Sequence, residues 1–204
     1  MDVRFEAVLD YYHDRIHQER ANPSPMPEGG RDGGNDYRMR AVGRQTGELL
    51  NLLARNLEQP NILEIGTSFG YSGLWLADAA RQSGGKMTTL EMHAYKSEFA
   101  KTKHEEAGLA QFVDYKIGDA VEHIEKLDIG IDFILLDLWK DMYVPCLEAV
   151  YPKLNPGAII VADNIIRPGG DSVKAYVKAV RAKPMINSVT LPVGTGLEIS
   201  RYEP

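Results

Sequence analysis

The residues with the most pointed chemistry are two aspartates and an asparagine at the ends of two apolar runs. Asp137 follows Ile134-Leu135-Leu136, and Asp163-Asn164 follow Ile160-Val161-Ala162. If both runs are neighbouring parallel strands, two carboxylates and an amide meet at one edge of a sheet. Three oxygen ligands suit a hard divalent cation such as Mg²⁺, with further positions open to water or substrate oxygens. A buried pair of aspartates repels itself, and a cation relieves that repulsion. No cluster of cysteine and histidine is present, which argues against zinc. Either aspartate taken singly reads equally well as a helix cap.

Three further strand ends carry polar groups. Glu64-Ile65-Gly66-Thr67-Ser68-Phe69-Gly70-Tyr71-Ser72 places one glycine at the end of a strand and a second at the opening of a helix. This is the pattern of a nucleotide-cofactor loop, although it lacks the third glycine of a dinucleotide fingerprint, and any strand-to-helix turn favours glycine. Glu91 in Leu90-Glu91-Met92 lies about 20 residues beyond that loop, where an acid can accept hydrogen bonds from both ribose hydroxyls. Gly118-Asp119-Ala120 ends a third run. Asp119 there can accept from an adenine amino group, cap the next helix, or do both, with the Ala120 amide facing the ring.

These positions need a scaffold that brings strand ends together. The runs NILEI, KMTTLEM, FVDYKI, IDFILLD and AIIVAD alternate with amphipathic stretches beginning near Tyr71, Tyr95, Ala120, Asp141 and Asp171. Short buried runs alternating with helices predict βαβ units and a parallel sheet. INSVTLPV and GLEISRY, joined through Gly-Thr-Gly, predict a closing antiparallel hairpin. Together they predict an α/β fold, a doubly wound seven-stranded sheet that is mostly parallel with an antiparallel C-terminal hairpin. Ligands bind such sheets beyond the carboxyl ends of the strands. Upstream, Phe5, Val8, Leu9, Tyr12 and Ile16 predict a helix over residues 3–20, and a second helix is predicted from Tyr37 to Asn56. Between them, ANPSPMPEGGRDGGND is dense in proline and glycine and reads as a flexible loop, either a linker or a flap over a site.

The chain of 204 residues suits one domain, with residues 1–36 forming the N-terminal helix and loop and residues 37–204 the core. Its net charge of −6 excludes a general attraction to nucleic acid or anionic membranes. No stretch is apolar and long enough for a signal peptide or a membrane span. A single cysteine, Cys146, forms no internal disulfide and suits a reducing cytoplasm; it is expected in the core. The five histidines (His13, His17, His93, His104 and His123) are expected mostly on exposed helix faces; His93, which follows the acid of the second strand, reads either as a lining of the adenine pocket or, the favoured reading, as solvent-exposed.

The segments LEIGTSFGYS, LEM, LDLWKDMY, ADNIIRPGG and VGTGLEIS resemble the catechol branch of the cation-dependent, S-adenosylmethionine-using O-methyltransferases, over about Arg40 to the C-terminus. The resemblance implies a Rossmann-like fold and Mg²⁺-dependent methylation of a hydroxyl on a small catechol-like substrate. It implies Asp137, Asp163 and Asn164 as metal ligands and Lys140 as general base, close enough to share the substrate oxygen. A lysine acts as a base only after shedding its own proton. Val42, Glu64, Gly66, Ser68, Gly70, Tyr71, Ser72, Glu91, Met92, Asp119, Ala120, Asp137 and Trp139 would contact the cofactor, with Tyr71 and Ser72 at its methionine end. Trp139, Pro168 and Leu197 would wall the aromatic ring. Glu198 would receive the second hydroxyl of a diol, while Asp137, Lys140 and Asn164 would face the reacting one.

The chain departs from that family in places. Leu138 stands where relatives often carry histidine, and Arg31, Asp32, Gly33 and Gly34 match nothing securely. Relatives acting on caffeoyl-coenzyme A usually carry a longer insertion where this chain has only IIRPGGDSV, which favours a free phenol over a coenzyme A ester or another phenolic acceptor. A non-catalytic adenosylmethionine sensor has no need of a lysine beside a metal, and the missing glycine argues against a dehydrogenase. The oligomeric state stays open between monomer and homodimer.

Overall fold

The computed structural model describes residues 2–23 and 35–204. Seven helices interleave with seven strands: α1 (Val3–Ala21), α2 (Arg44–Arg55), β1 (Asn61–Ile65), α3 (Tyr71–Ser83), β2 (Lys86–Glu91), α4 (Ala94–Glu106), β3 (Val113–Ile117), α5 (Ala120–Glu125), β4 (Ile131–Leu136), α6 (Tyr143–Val150), β5 (Leu154–Ala162), α7 (Asp171–Ala182), β6 (Ile186–Leu191) and β7 (Leu197–Tyr202). The strands form one sheet in the order β3-β2-β1-β4-β5-β7-β6. All pairs are parallel except β5–β7 and β6–β7, so the predicted hairpin closes the sheet.

The central strands are apolar along their whole length because helices cover both faces. Alternation sorts their side chains. Ile62, Phe133, Leu135, Ile159 and Val161 join α1, α2 and α3 in one core layer. Leu63, Ile65, Ile134, Leu136, Ile160 and Ala162 join α5, α6 and α7 in the other, where Cys146 is also buried. Trp75 and Phe5 pack edge to face at 5.1 Å, which docks α1 on α3. Among the described residues no helix is long and apolar enough to cross a membrane.

The second helix starts later than its apolar pattern predicts. Residues 37–43 are irregular, and helix begins only at Arg44, after Gly43 at φ 86°. A glycine in the left-handed region cannot continue a right-handed helix, so the helix reaches no further upstream than Arg44. Arg31, Asp32, Gly33 and Gly34, with the rest of the proline- and glycine-rich segment from residue 24, lie outside the described residues.

His104 also departs from expectation. It is fully buried on α4, with Nδ1 at 2.7 Å from the Tyr115 hydroxyl and Nε2 at 2.9 Å from the Gly70 carbonyl, so it ties α4 to β3 and to the glycine loop. Burial pushes its imidazole down from 6.5 to about 4, partly opposed by the Gly70 carbonyl. Because the folded value lies below the unfolded one, the unfolded chain takes up the proton first. Stability is therefore intact above about 6.5 and is lost as pH falls toward 4, by at most about 3 kcal/mol. Glu64 acts with the opposite sign, so the contribution of His104 is read by difference. Urea midpoints of the wild type and of His104→Gln should converge as pH drops from 7 to 4. Parallel curves would remove this role.

Candidate active site

Five strand ends and their loops open onto one cleft of about 580 Å³ at the carboxyl edge of the sheet. A volume of this size is typical for small-molecule sites. One half of the cleft is lined by Gly66, Ser68, Glu91, Met92, Asp119 and Ala120, and the other by Asp137, Trp139, Lys140, Asn164 and Pro168. A second, shallower hollow of about 640 Å³ lies between α2 and α3, where ion-paired side chains such as Arg81 face solvent away from the strand ends.

The first loop is pressed against β4. Gly66 has φ 105°, and a Cβ there would fall 2.2 Å from the Asp137 carbonyl oxygen. Only glycine permits this approach, which sets the loop beside the acidic pair. Glu91 fastens the same loop: one carboxylate oxygen accepts from the Ser68 amide at 2.8 Å and the other from the His93 amide at 3.1 Å. Each oxygen keeps a further lone pair facing the cleft. Asp119 caps α5 by accepting from the Glu122 amide at 3.0 Å, and it lines the cleft as well. His93 also lines the cleft and is only partly exposed.

The other half is built around Lys140, whose ammonium donates to Asp137 Oδ1 at 3.1 Å and to the Tyr143 hydroxyl at 2.7 Å. Tyr143 is fully buried, and its hydroxyl in turn reaches the carbonyls of Leu136 at 3.0 Å and Asp163 at 3.1 Å. It therefore joins the ends of β4 and β5 and aims the lysine. Asp163 is held from the hairpin side: Thr195 donates to its Oδ1 at 2.5 Å and accepts from Asn164 Nδ2 at 3.0 Å. Asn164 itself sits at φ 60°, a left-handed conformation that asparagine tolerates. Burial first, and then the mutual repulsion of the two carboxylates, push Asp163 upward; burial pushes Asp137 upward against the pull of Lys140.

Several expected contacts lie elsewhere. Glu198 is fully buried and does not line the cleft. It pairs with Arg181 of α7 at 2.7 Å and accepts from Thr190 at 2.5 Å, so its carboxylate is not presented to a substrate. Strand parity is the reason. Glu198 is the register partner of Ala162, whose side chain packs toward α6 and α7. Leu197 points the other way, into the core with Val161, and does not line the cleft. Val42 is likewise in the core, and its neighbours Arg40 and Ala41 line the cleft in its place. Glu64, Gly70, Tyr71 and Ser72 form a layer behind the loop. Glu64 accepts from Ser72 at 2.7 Å and from Thr89 at 2.5 Å, and burial pushes its carboxyl up to about 8. Tyr71 meets His13 of α1 at 2.9 Å.

Tyr143, Thr195 and Arg40 were not foreseen. Tyr143 carried a weak signal, lying one helical turn after Lys140 in WKDMY. Thr195, between two glycines of a hairpin turn, carried none.

The fold and this cleft define an α/β protein with an open, mostly parallel sheet and a lysine beside an acidic pair at its carboxyl edge. Residues 34–202 match the O-methyltransferase family, and the chain belongs to that family. It is 36% identical over 131 residues to a catechol O-methyltransferase of Mycobacterium tuberculosis, a match covering 64% of this chain and 59% of that protein's length. It is 27% identical to a caffeoyl-CoA O-methyltransferase of Zinnia elegans, over 88% of this chain and 82% of that one. Among solved structures, the O-methyltransferase TomG of Streptomyces achromogenes, involved in tomaymycin synthesis and determined in complex with SAM, superposes with a TM-score of 0.78. That match is 25% identical and covers 100% of this chain and 91% of TomG.

Proposed function

We propose that the protein transfers a methyl group from S-adenosylmethionine to a hydroxyl of a catechol-type aromatic acceptor, with a hard divalent cation such as Mg²⁺ held by Asp137, Asp163 and Asn164. The observation that carries this reading is the position of Lys140 in the cleft, between Asp137 and Tyr143 and beside the Asp163–Thr195–Asn164 chain.

The donor set fits such a cation. Thr195 takes the Asn164 amide nitrogen and one oxygen of Asp163, which leaves Asn164 Oδ1 and Asp163 Oδ2 as oxygen donors. Burial pushes both carboxylates toward protonation, and the Asp137 charge adds to this at Asp163, a cost that a divalent ion would remove. Among the described residues no group of three histidine, cysteine or acidic side chains offers another metal site.

Bound in this cleft, the cofactor supplies an electrophilic methyl on a sulfonium, and the cation supplies Lewis acidity toward a phenol that ionises near ~10 in water. Everything else falls to the chain. Lys140 Nζ, once in its neutral amine form, would take the phenolic proton, and the methyl group would pass to the phenolate oxygen with the carbon–sulfur electron pair left on sulfur. Trp139 and Pro168 would hold the ring, and Glu91 with Asp119 would hold the adenosine, which keeps acceptor and methyl group together.

Methyl transfer from labelled S-adenosylmethionine to 3,4-dihydroxybenzoate tests this. Turnover should stop with excess EDTA and return when Mg²⁺ exceeds the chelator. Full turnover in EDTA would remove the cation. Cofactor binding without transfer to any diol would move the acceptor to another class of hydroxyl compound.

A further inference from the structure

The acceptor half of the cleft carries a cation that no step above uses. Arg40 lines it, with its guanidinium carbon 5.7 Å from the centroid of the Trp139 ring. Trp139 is 44% exposed, an open aromatic face beside Lys140. Arg40 reaches this place from a backbone at φ 43°, uncommon for a residue with a side chain.

Among the described residues its ion-pair partner, Asp36, is shared with a second arginine. Asp36 accepts from Arg38 Nε at 2.8 Å, from Arg38 Nη2 at 2.7 Å and from the Arg38 amide at 3.1 Å, and only then from Arg40 Nε at 3.1 Å. One carboxylate thus stands between two guanidiniums, with Glu19 acting on Arg38 and Asp137 on Arg40 as weaker electrostatic neighbours. The cluster is also anchored: Tyr95 accepts from the Asp36 amide at 2.8 Å and donates to its carbonyl at 3.1 Å. The Arg40 side chain is 45% exposed, so its outer edge faces the cleft mouth. A planar guanidinium beside an aromatic wall matches a carboxylate in a bidentate fashion.

We propose that Arg40 reads a carboxylate on the acceptor ring, so that the substrates are aromatic diols bearing a free carboxylate, of the dihydroxybenzoate kind, in preference to neutral catechols. This rests on the methyl-transfer reading for its chemistry but is measurable without it. A ring laid on Trp139 with its hydroxyls toward Lys140 lies beside Arg40 as well, since Arg40 lines the same cleft and stands over Trp139.

The test compares 3,4-dihydroxybenzoate, 4-methylcatechol and caffeoyl-coenzyme A in wild type, Arg40→Gln and Arg40→Lys, by calorimetric binding and by kcat/KM. Wild type should prefer the carboxylate to 4-methylcatechol. Arg40→Gln should shrink that preference about tenfold, chiefly through Kd and KM. Arg40→Lys should fall between, keeping the charge but losing the fork. The wild-type preference should also weaken at high salt, because the guanidinium is partly exposed. An unchanged preference in Arg40→Gln, or a wild-type preference for 4-methylcatechol, overturns the proposal. So does a loss in Arg40→Gln that falls on caffeoyl-coenzyme A and spares dihydroxybenzoate, since the cation would then read coenzyme A phosphates. Arg40-dependent binding of dihydroxybenzoate with no methyl transfer would uphold this proposal and sink the methyl-transfer reading instead.

Discussion

Replacing Lys140 by alanine is expected to lower kcat/KM by about 10²-fold or more, the usual contribution of a positioned general base. The lysine touches Asp137 and Tyr143 and lines the cleft. Its removal takes away the proton acceptor and also one positive charge beside the acidic pair. Lys140→Arg separates the two effects, because arginine keeps the charge and does not release its proton. If the base role is correct, Lys140→Arg should be nearly as slow as Lys140→Ala, while S-adenosylmethionine binding by calorimetry stays within a few-fold of wild type. A loss below about tenfold in Lys140→Ala would remove the lysine from proton transfer.

Asp137→Ala is expected to be at least as damaging, about 10³-fold in kcat/KM, the several kcal/mol that a Lewis acid supplies to a developing charge. It removes one of the three oxygen donors and the carboxylate partner of Lys140 at once. The diagnostic readout is the Mg²⁺ concentration giving half-maximal rate, which should rise steeply in Asp137→Ala and less in Asp137→Asn. Near-normal turnover at unchanged Mg²⁺ dependence would show that the aspartates do not hold the cation. Thermal melting in the absence of metal guards against misreading a folding defect. Asp137 is buried and destabilised as a charge, so its loss is not expected to unfold the chain.

Much of this architecture was legible in the sequence. All seven strands lie on the runs that announced them, the inner ones because strands covered on both faces are largely apolar, the edge strands β3 and β6 despite their mixed, half-exposed pattern. Asp137 and Asn164 were legible for a related reason, while Trp139, Lys140 and Pro168 came from the family resemblance. A polar group that directly follows such a run lies at the carboxyl edge whichever way the neighbouring strands are ordered. The second helix was extended too far upstream because residues 37–43 carry no proline to mark a stop, while Gly43 at positive φ ends the irregular stretch before Arg44.

What the sequence by itself determined, then, is the class of fold and the polar groups at its carboxyl edge, since both follow from local pattern: strand period, turn residues, and the first polar residue after a buried run. Tertiary structure alone decided which side of the sheet each residue serves. Glu198 and Leu197 are adjacent and both buried, yet the pairing of Glu198 with Ala162 sends the acid to Arg181 and the leucine to the opposite core. Glu64, Ser72 and Tyr71 sit behind the loop for the same reason, and His104 is buried because α4 packs on β3. The Thr195 and Tyr143 contacts span 32 and 20 residues to Asp163. Such links exist only once register and crossover are set, because side-chain alternation has a period of two and a one-residue slip reverses every assignment.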